Sequence, residues 1–154
     1  MSTPSPTRIC EALPGDCRSR LMELAREVNF AEGTRIFREG GRADRFWIVR
    51  SGTVNLDVHV PGRRAAVMES LGTGQLVGCS WLFEPYSWRL GAEAMTPVRT
   101  YEFDAARVRT LMDADTAFGS ALGHRVGQVL AHRLQAARVR LLDLYAPYGS
   151  GSFL

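Results

Sequence analysis

The sequence predicts a mainly β chain with flanking helices. It reads as an antiparallel β sandwich or barrel, entered by a short N-terminal helix and left by a long C-terminal one. Three observations predict it. Between Asn29 and Leu71, apolar and polar residues alternate in short runs broken by glycine turns, the period of half-buried strands. Before Asn29 and after Asp104 the apolar period lengthens to three or four, as in helices. The length, 154 residues, suits one domain with a sizeable core.

In chain order, Met1 to Ala12 reads as a flexible N-terminus rich in proline and serine at its start. The domain is expected over 13–145, and 146–154 is expected to be a flexible tail around Gly149-Ser-Gly-Ser. Pro14-Gly15-Asp16 is a turn with Asp16 at the N-cap position. A helix is expected from Cys17 to Val28, with Leu21, Leu24, Ala25 and Val28 on one face. Phe30 to Gly41 reads as two short strands, and Phe46 to Arg50 as a third. Val54, Leu56, Val58 and Val60 alternate with Asn55, Asp57 and His59, so one face is buried and the other wet. After the Pro61-Gly62 turn a strand returns over Ala65 to Leu71. Gly72 to Ala94 is the glycine- and aromatic-rich stretch around which the rest is organised. Ser80 is placed to cap a short helix from Trp81 to Glu84. A strand from Val98 to Phe103 precedes Asp104, an N-cap for a helix over Ala105 to Met112. Asp113 to Asp115 breaks it, and a long helix runs from Thr116 to Tyr145. Val126, Leu130, Leu134, Ala137, Leu141 and Leu144 form a coiled-coil-like seam on it.

Composition bounds the function. Hydrophobic residues make up 45% and charged residues 23%, and the net charge of +3 is too mild to demand a nucleic-acid partner. All 19 basic residues are arginine, which excludes a Schiff-base lysine, a lysine base and a lysine-bearing P-loop. Three scattered cysteines, Cys10, Cys17 and Cys79, make neither a CxxC pair nor a disulfide framework. The chain therefore reads as cytoplasmic, with reduced thiols. The N-terminus lacks the apolar segment of a signal peptide, and no apolar run reaches the roughly 20 residues of a membrane span.

The motif Phe30-x-x-Gly33-x-x-Ile36-Phe37-x-Glu39-Gly40, then Ala43-Asp44-x-x-x-x-Val49-x-Ser51-Gly52-x-Val54, resembles the cyclic nucleotide-binding domain of the Crp/Fnr sensor family. Gly72, Gly78, Ala94 and Phe103-Asp104 continue the pattern, which covers about Leu13 to Leu144. The resemblance implies an antiparallel β jelly roll (double-stranded β-helix) and, within it, a phosphate-binding cassette that presents backbone N–H groups to a cyclic phosphate. In such cassettes a Gly-Glu pair opens the motif and Arg-Ser/Thr-Ala closes it; the glutamate takes the ribose hydroxyl and the arginine the phosphate. Here Gly78 matches the glycine, Cys79 stands at the glutamate position, Trp88 at the arginine position and Leu90 at the alanine position. Arg89 is offset by one residue, which in a strand points it to the opposite face. Losing two charge-assisted contacts weakens binding by about 3–6 kcal/mol, so cAMP or cGMP is disfavoured as a ligand.

The tentative ligand site is Gly78, Cys79, Ser80, Trp81, Leu82, Trp88, Arg89 and Leu90. Trp81, Phe83, Tyr86 and Trp88 either line a pocket for a planar ligand or fill the space a nucleotide would take. His59, His124 and His132 build no metal cluster, and no His-x-His with a carboxylate is present. No nucleophile elbow can be read either, so no catalytic residue is assigned. The nine residues after Tyr145 are too few for a helix-turn-helix domain, so direct DNA binding is not expected. The reading is a non-catalytic sensor module, a homodimer through the long helix. The alternative is a ligand-free interaction module; a DNA-binding regulator ranks third. The side chain of Arg89, facing in or out, discriminates the first two.

Overall fold

The computed structural model describes residues 8–145. In order it contains α1 (Gly15–Glu23), β1 (Arg26–Phe30), β2 (Arg35–Phe37), β3 (Arg45–Ser51), β4 (Val54–Val58), β5 (Ala66–Leu71) and β6 (Leu76–Val77). A 3-10 turn (Ser80–Leu82), β7 (Gly91–Ala94), β8 (Val98–Asp104), α2 (Ala105–Ala114) and α3 (Thr116–Tyr145) follow. The strands form two four-stranded antiparallel sheets, ordered β1-β8-β3-β6 and β2-β7-β4-β5.

β3 is the central apolar run. Phe46, Trp47, Ile48 and Val49 are all buried, which needs cover on both faces. Phe46 stacks on Phe103 and Trp81, whereas Trp47, pointing the other way, stacks on Phe37. The turn from β3 to β4 requires Gly52: its φ is +96°, and a Cβ there would lie 2.4 Å from the Pro97 carbonyl oxygen.

Four expectations need correction. The N-terminal helix ends at Glu23, not Val28, because Arg26 to Phe30 pair with Val98 to Glu102; Val28 is opposite Thr100. Sheet pairing overrides the local helical period there. Pro14, not Asp16, is the N-cap; Asp16 lies in the first turn, where its charge complements the helix dipole. β4 keeps its register with β7 through Asp57, yet Asp57 on the expected wet face is buried against Arg35, whose Nη1 donates to its Oδ1 at 2.8 Å. Finally, Ile9 lies inside the stretch expected to be flexible, yet it is buried. Its N–H donates to the Gly74 carbonyl at 3.0 Å, and its own carbonyl accepts from Arg125 Nε at 3.2 Å. The outermost parts of the expected flexible ends, 1–7 and 146–154, lie outside the described residues.

Asp104 caps α2 as expected, accepting from the Arg107 N–H at 3.2 Å. α2 continues to Ala114, so Asp115 alone makes the break. α3 has two working faces. At about 100° per residue, Arg125, Val129, Arg133 and Arg140 share the face turned to the sheets. Arg125 donates to the Arg8 and Ile9 carbonyls, Arg133 to Leu76, and Arg140 to Val67 and Met68. Leu130, Leu134, Ala137 and Leu141 fall on an adjacent stripe about 60° wide. Of the seam, Val126 is buried and Leu130 half-buried, but Leu134 and Leu141 are 64% and 53% exposed. The side chain of Leu144 is outside the described set.

Candidate functional site

The site is built on Gly78, immediately after β6. Its φ of +95° favours glycine, and a Cβ there would lie 2.5 and 2.6 Å from two ring carbons of Trp88. The glycine therefore serves both a left-handed backbone and a close approach by the indole. Cys79 follows and is buried. The expected Ser80-capped helix over Trp81 to Glu84 is instead a single 3-10 turn over Ser80 to Leu82, with Cys79 at its N-cap position and no side-chain cap. Phe83 is already extended. The anchor is Trp81, fully buried. Its indole N–H donates to the Gly78 carbonyl at 3.1 Å, and its ring stacks on Phe46 with centroids 4.0 Å apart.

α2 holds the turn from outside. Arg109 Nη1 donates to the Trp81 carbonyl at 2.6 Å, and its guanidinium lies 4.1 Å from the Tyr86 ring centroid, a cation–π contact.

Trp88 is tied on both sides to the β2–β3 turn. Its N–H donates to Gly41 at 2.8 Å, and its carbonyl accepts from the Gly40 N–H at 2.8 Å. Its ring stacks on Phe37 at 3.8 Å, and Phe37 stacks on Trp47 at 5.7 Å. Trp47 in turn donates its indole N–H to buried Glu102 at 3.0 Å. Continuous aromatic packing therefore runs from the cassette glycine into the space between the sheets. Arg89, the next residue, is exposed and Leu90 half-buried, in the bend that leads into β7.

The structure thus gathers Gly78, Cys79, Trp81 and Trp88 into a buried cluster and leaves Arg89 outside it. Ser80 and Arg89 line an outer cleft of about 200 Å³, with Phe83, Ser87 and Leu130 of α3, and Cys79 borders both this cleft and the cluster. Leu82 packs half-buried against the core.

Three residues escaped the sequence reading of the site: Arg109, and the pair Arg133 and Glu69. Arg133 reaches from α3 into the cassette: Nη1 donates to Cys79 Sγ at 3.3 Å, Nη2 to the Leu76 carbonyl, and Nε lies 3.2 Å from Glu69 Oε2. That last contact is an ion pair without hydrogen-bond geometry. Burial pushes the Cys79 thiol up from its ordinary value; Arg133 opposes this and Glu69 reinforces it. The thiol is therefore held protonated and poorly nucleophilic. The available signal was spacing: Arg133 follows Val126 by seven and Val129 by four, both buried, and Glu69 shares a strand face with buried Leu71.

With that geometry in place, comparison with known proteins decides the family. The family model described as "Cyclic nucleotide-binding domain" matches residues 27–115, more than half of the chain. The chain belongs to the cyclic nucleotide-binding domain family. A curated relative, the CRP-like cAMP-activated global transcriptional regulator of Mycobacterium tuberculosis, is 27% identical over 124 residues. That match covers 80% of this chain and 54% of the relative, so the chain spans about half the length of the curated relatives it matches. Among solved structures, one described as a cyclic nucleotide-binding protein of Geobacter metallireducens superposes with a TM-score of 0.72 at 26% identity, covering 86% of this chain and 99% of that one. The Thermus thermophilus catabolite activator protein gives 0.74 at 21%, covering 92% and 63%. The latter likeness supports the fold alone. Within the cyclic nucleotide-binding domain family, the described residues of this chain include no separate helix-turn-helix unit. No helix among them is long and apolar enough to cross a membrane.

Proposed function

We propose that this domain is a non-catalytic regulatory module whose cassette has exchanged nucleotide chemistry for aromatic packing, and which pairs with a second copy through α3. The observation that carries the reading is Trp88. At the position where the resemblance places the phosphate-binding arginine, an indole is buried on Gly78 and Phe37. Cys79, at the glutamate position, faces Arg133 with a thiol that burial keeps protonated. Arg89 is exposed at the outer cleft and is not part of the buried cluster. The outer cleft of about 200 Å³ falls below the ~300 Å³ at which small-molecule pockets usually begin. These features favour the interaction-module reading over a cAMP or cGMP sensor. The reduced, cytoplasmic setting expected from the cysteines accords with three free thiols among the described residues.

The test is a fluorescence titration with cAMP and cGMP, since Trp81 and Trp88 report on the cassette. The expected result is no saturable change up to millimolar nucleotide. Saturable binding at micromolar concentration, abolished in Arg89→Ala, would overturn the reading.

Pairing has its own support. Leu134 and Leu141 are exposed on the C-terminal half of α3, beside the arginine-clamped face. Such an apolar stripe on a 30-residue helix suits a two-stranded seam. Leu134→Asp combined with Leu141→Asp is expected to convert a dimer into a monomer at micromolar concentration, measured by sedimentation velocity. The circular dichroism of the strands should be unchanged. A wild-type chain that sediments as a monomer would exclude the pairing.

A further inference from the structure

Asp115 connects three helices. Its N–H donates to the Leu111 carbonyl at 2.8 Å, closing α2, and its carbonyl accepts from the Gly119 N–H at 2.9 Å, opening α3. Its Oδ1 accepts from the Phe118 N–H at 3.1 Å, the N-cap bond of α3. Its Oδ2 receives Arg20 Nη1 of α1 at 2.5 Å. The remaining freedom at this junction is small. A Cβ on Gly119 would lie 2.5 Å from the Met112 carbonyl oxygen, so α2 and α3 meet backbone to backbone. A change in their angle therefore has to pivot at Asp115.

On either side of the ion pair the surface is open. A groove of about 560 Å³ separates α1 from the start of α3, over Cys17, Phe118 and Ala121. A second, of about 610 Å³, separates α1 from α2, over Leu24, Leu111 and Ala114. Arg20 lines both. The polar edge of α1 is thus tied to the junction by one contact that bridges unfilled space, while Cys17 and Leu21 bury its apolar face.

From this we infer that α1 is a control point for the orientation of α3, acting through the Arg20–Asp115 ion pair and not through the cassette. The pair is built to be reversible: its side chains are 51% and 27% exposed, and exposed ion pairs are weak. Whatever shifts α1, or offers Arg20 another carboxylate, releases the junction and with it the start of the α3 helix. The inference stands whether or not the cassette holds a ligand.

Hydrogen exchange of the full chain, read by mass spectrometry, tests it with two variants. Arg20→Gln removes the cation from a surface position. Asp115→Asn removes the charge and keeps an oxygen for the N-cap bond. Both are expected to speed exchange in the segment 112–122 by about two- to five-fold, the range an exposed ion pair supplies. The double variant should be no faster than either single one, because both remove the same contact, and β3 and β8 should exchange as in the wild type. Wild-type exchange at 112–122 in Arg20→Gln would overturn the proposal. So would effects of the two substitutions that multiply in the double variant.

Discussion

Replacing Trp88 with alanine is expected to lower the free energy of unfolding by about 3–5 kcal/mol, the usual cost of truncating a buried Trp or Phe. Three features place it in that range. The side chain is 5% exposed. It is stacked on Phe37 at 3.8 Å and covers the α-carbon of Gly78, so its removal strips partners from both sides. The backbone hydrogen bonds to Gly40 and Gly41 hold the segment in place, which limits collapse into the cavity. For a chain of this size the melting temperature should fall on the order of 10 °C. Urea unfolding followed by circular dichroism is the appropriate measurement, because the substitution removes a fluorophore. The m-value should hold while the midpoint falls. A loss below about 1.5 kcal/mol would mean that the indole is peripheral, and the aromatic-packing reading of the cassette would fail with it.

Gly78→Ala is expected to cost about 2–4 kcal/mol, from two sources that a cycle separates. The first is backbone strain, about 1 kcal/mol or more for a non-glycine residue at φ +95°. The second is overpacking: the new methyl would sit 2.5 Å from a ring that cannot retreat, because Phe37 lies behind it. Overpacking typically costs about 1–3 kcal/mol. In a Trp88→Ala background only the strain remains, so the two substitutions should couple by about 1–3 kcal/mol, the overpacking cost. Strict additivity would mean that the ring yields without cost and that the glycine is needed for its backbone alone.

Much of the fold was legible because local rules and tertiary structure agree. Gly52 marks a turn whose backbone conformation favours glycine, Asp104 caps a helix as its side chain predicts, and the period of three to four located α3 with its observed ends. The family resemblance rested on such positions, and the match over 27–115 bears it out. What failed did so where a distant partner decides. Arg26 to Val28 carry a helical period until β8 is placed beside them. Asp57 reads as a wet residue until Arg35 covers it. Ser80 reads as a cap, but Trp81 is held against Phe46 and Gly78, and the turn tightens instead. In the cassette, counting back from Ala94 put Trp88 at the arginine position and Arg89 one residue off it; Trp88 is buried and Arg89 exposed. Arg133 was missed because an arginine on a long helix ordinarily lies in solvent; only its place between Glu69, Leu76 and Cys79 reveals the burial.

The clamp of Arg125 on the Arg8 and Ile9 carbonyls joins residues 117 and 116 positions apart. The guanidinium is buried, and burial lowers its affinity for its proton. During synthesis the strands up to β8 leave the ribosome well before Arg125 does. The first described residues of the chain therefore wait for almost the last helix before their carbonyls find this donor. Until then Ile9 has its neighbour at Gly74 but not its cover from α3. Closure of the N-terminal end is thus a late step set by chain order, and contacts of such long range slow folding. A nascent chain cut before α3 would present Ile9 and the apolar residues around Leu76 as a surface for chaperones or for aggregation.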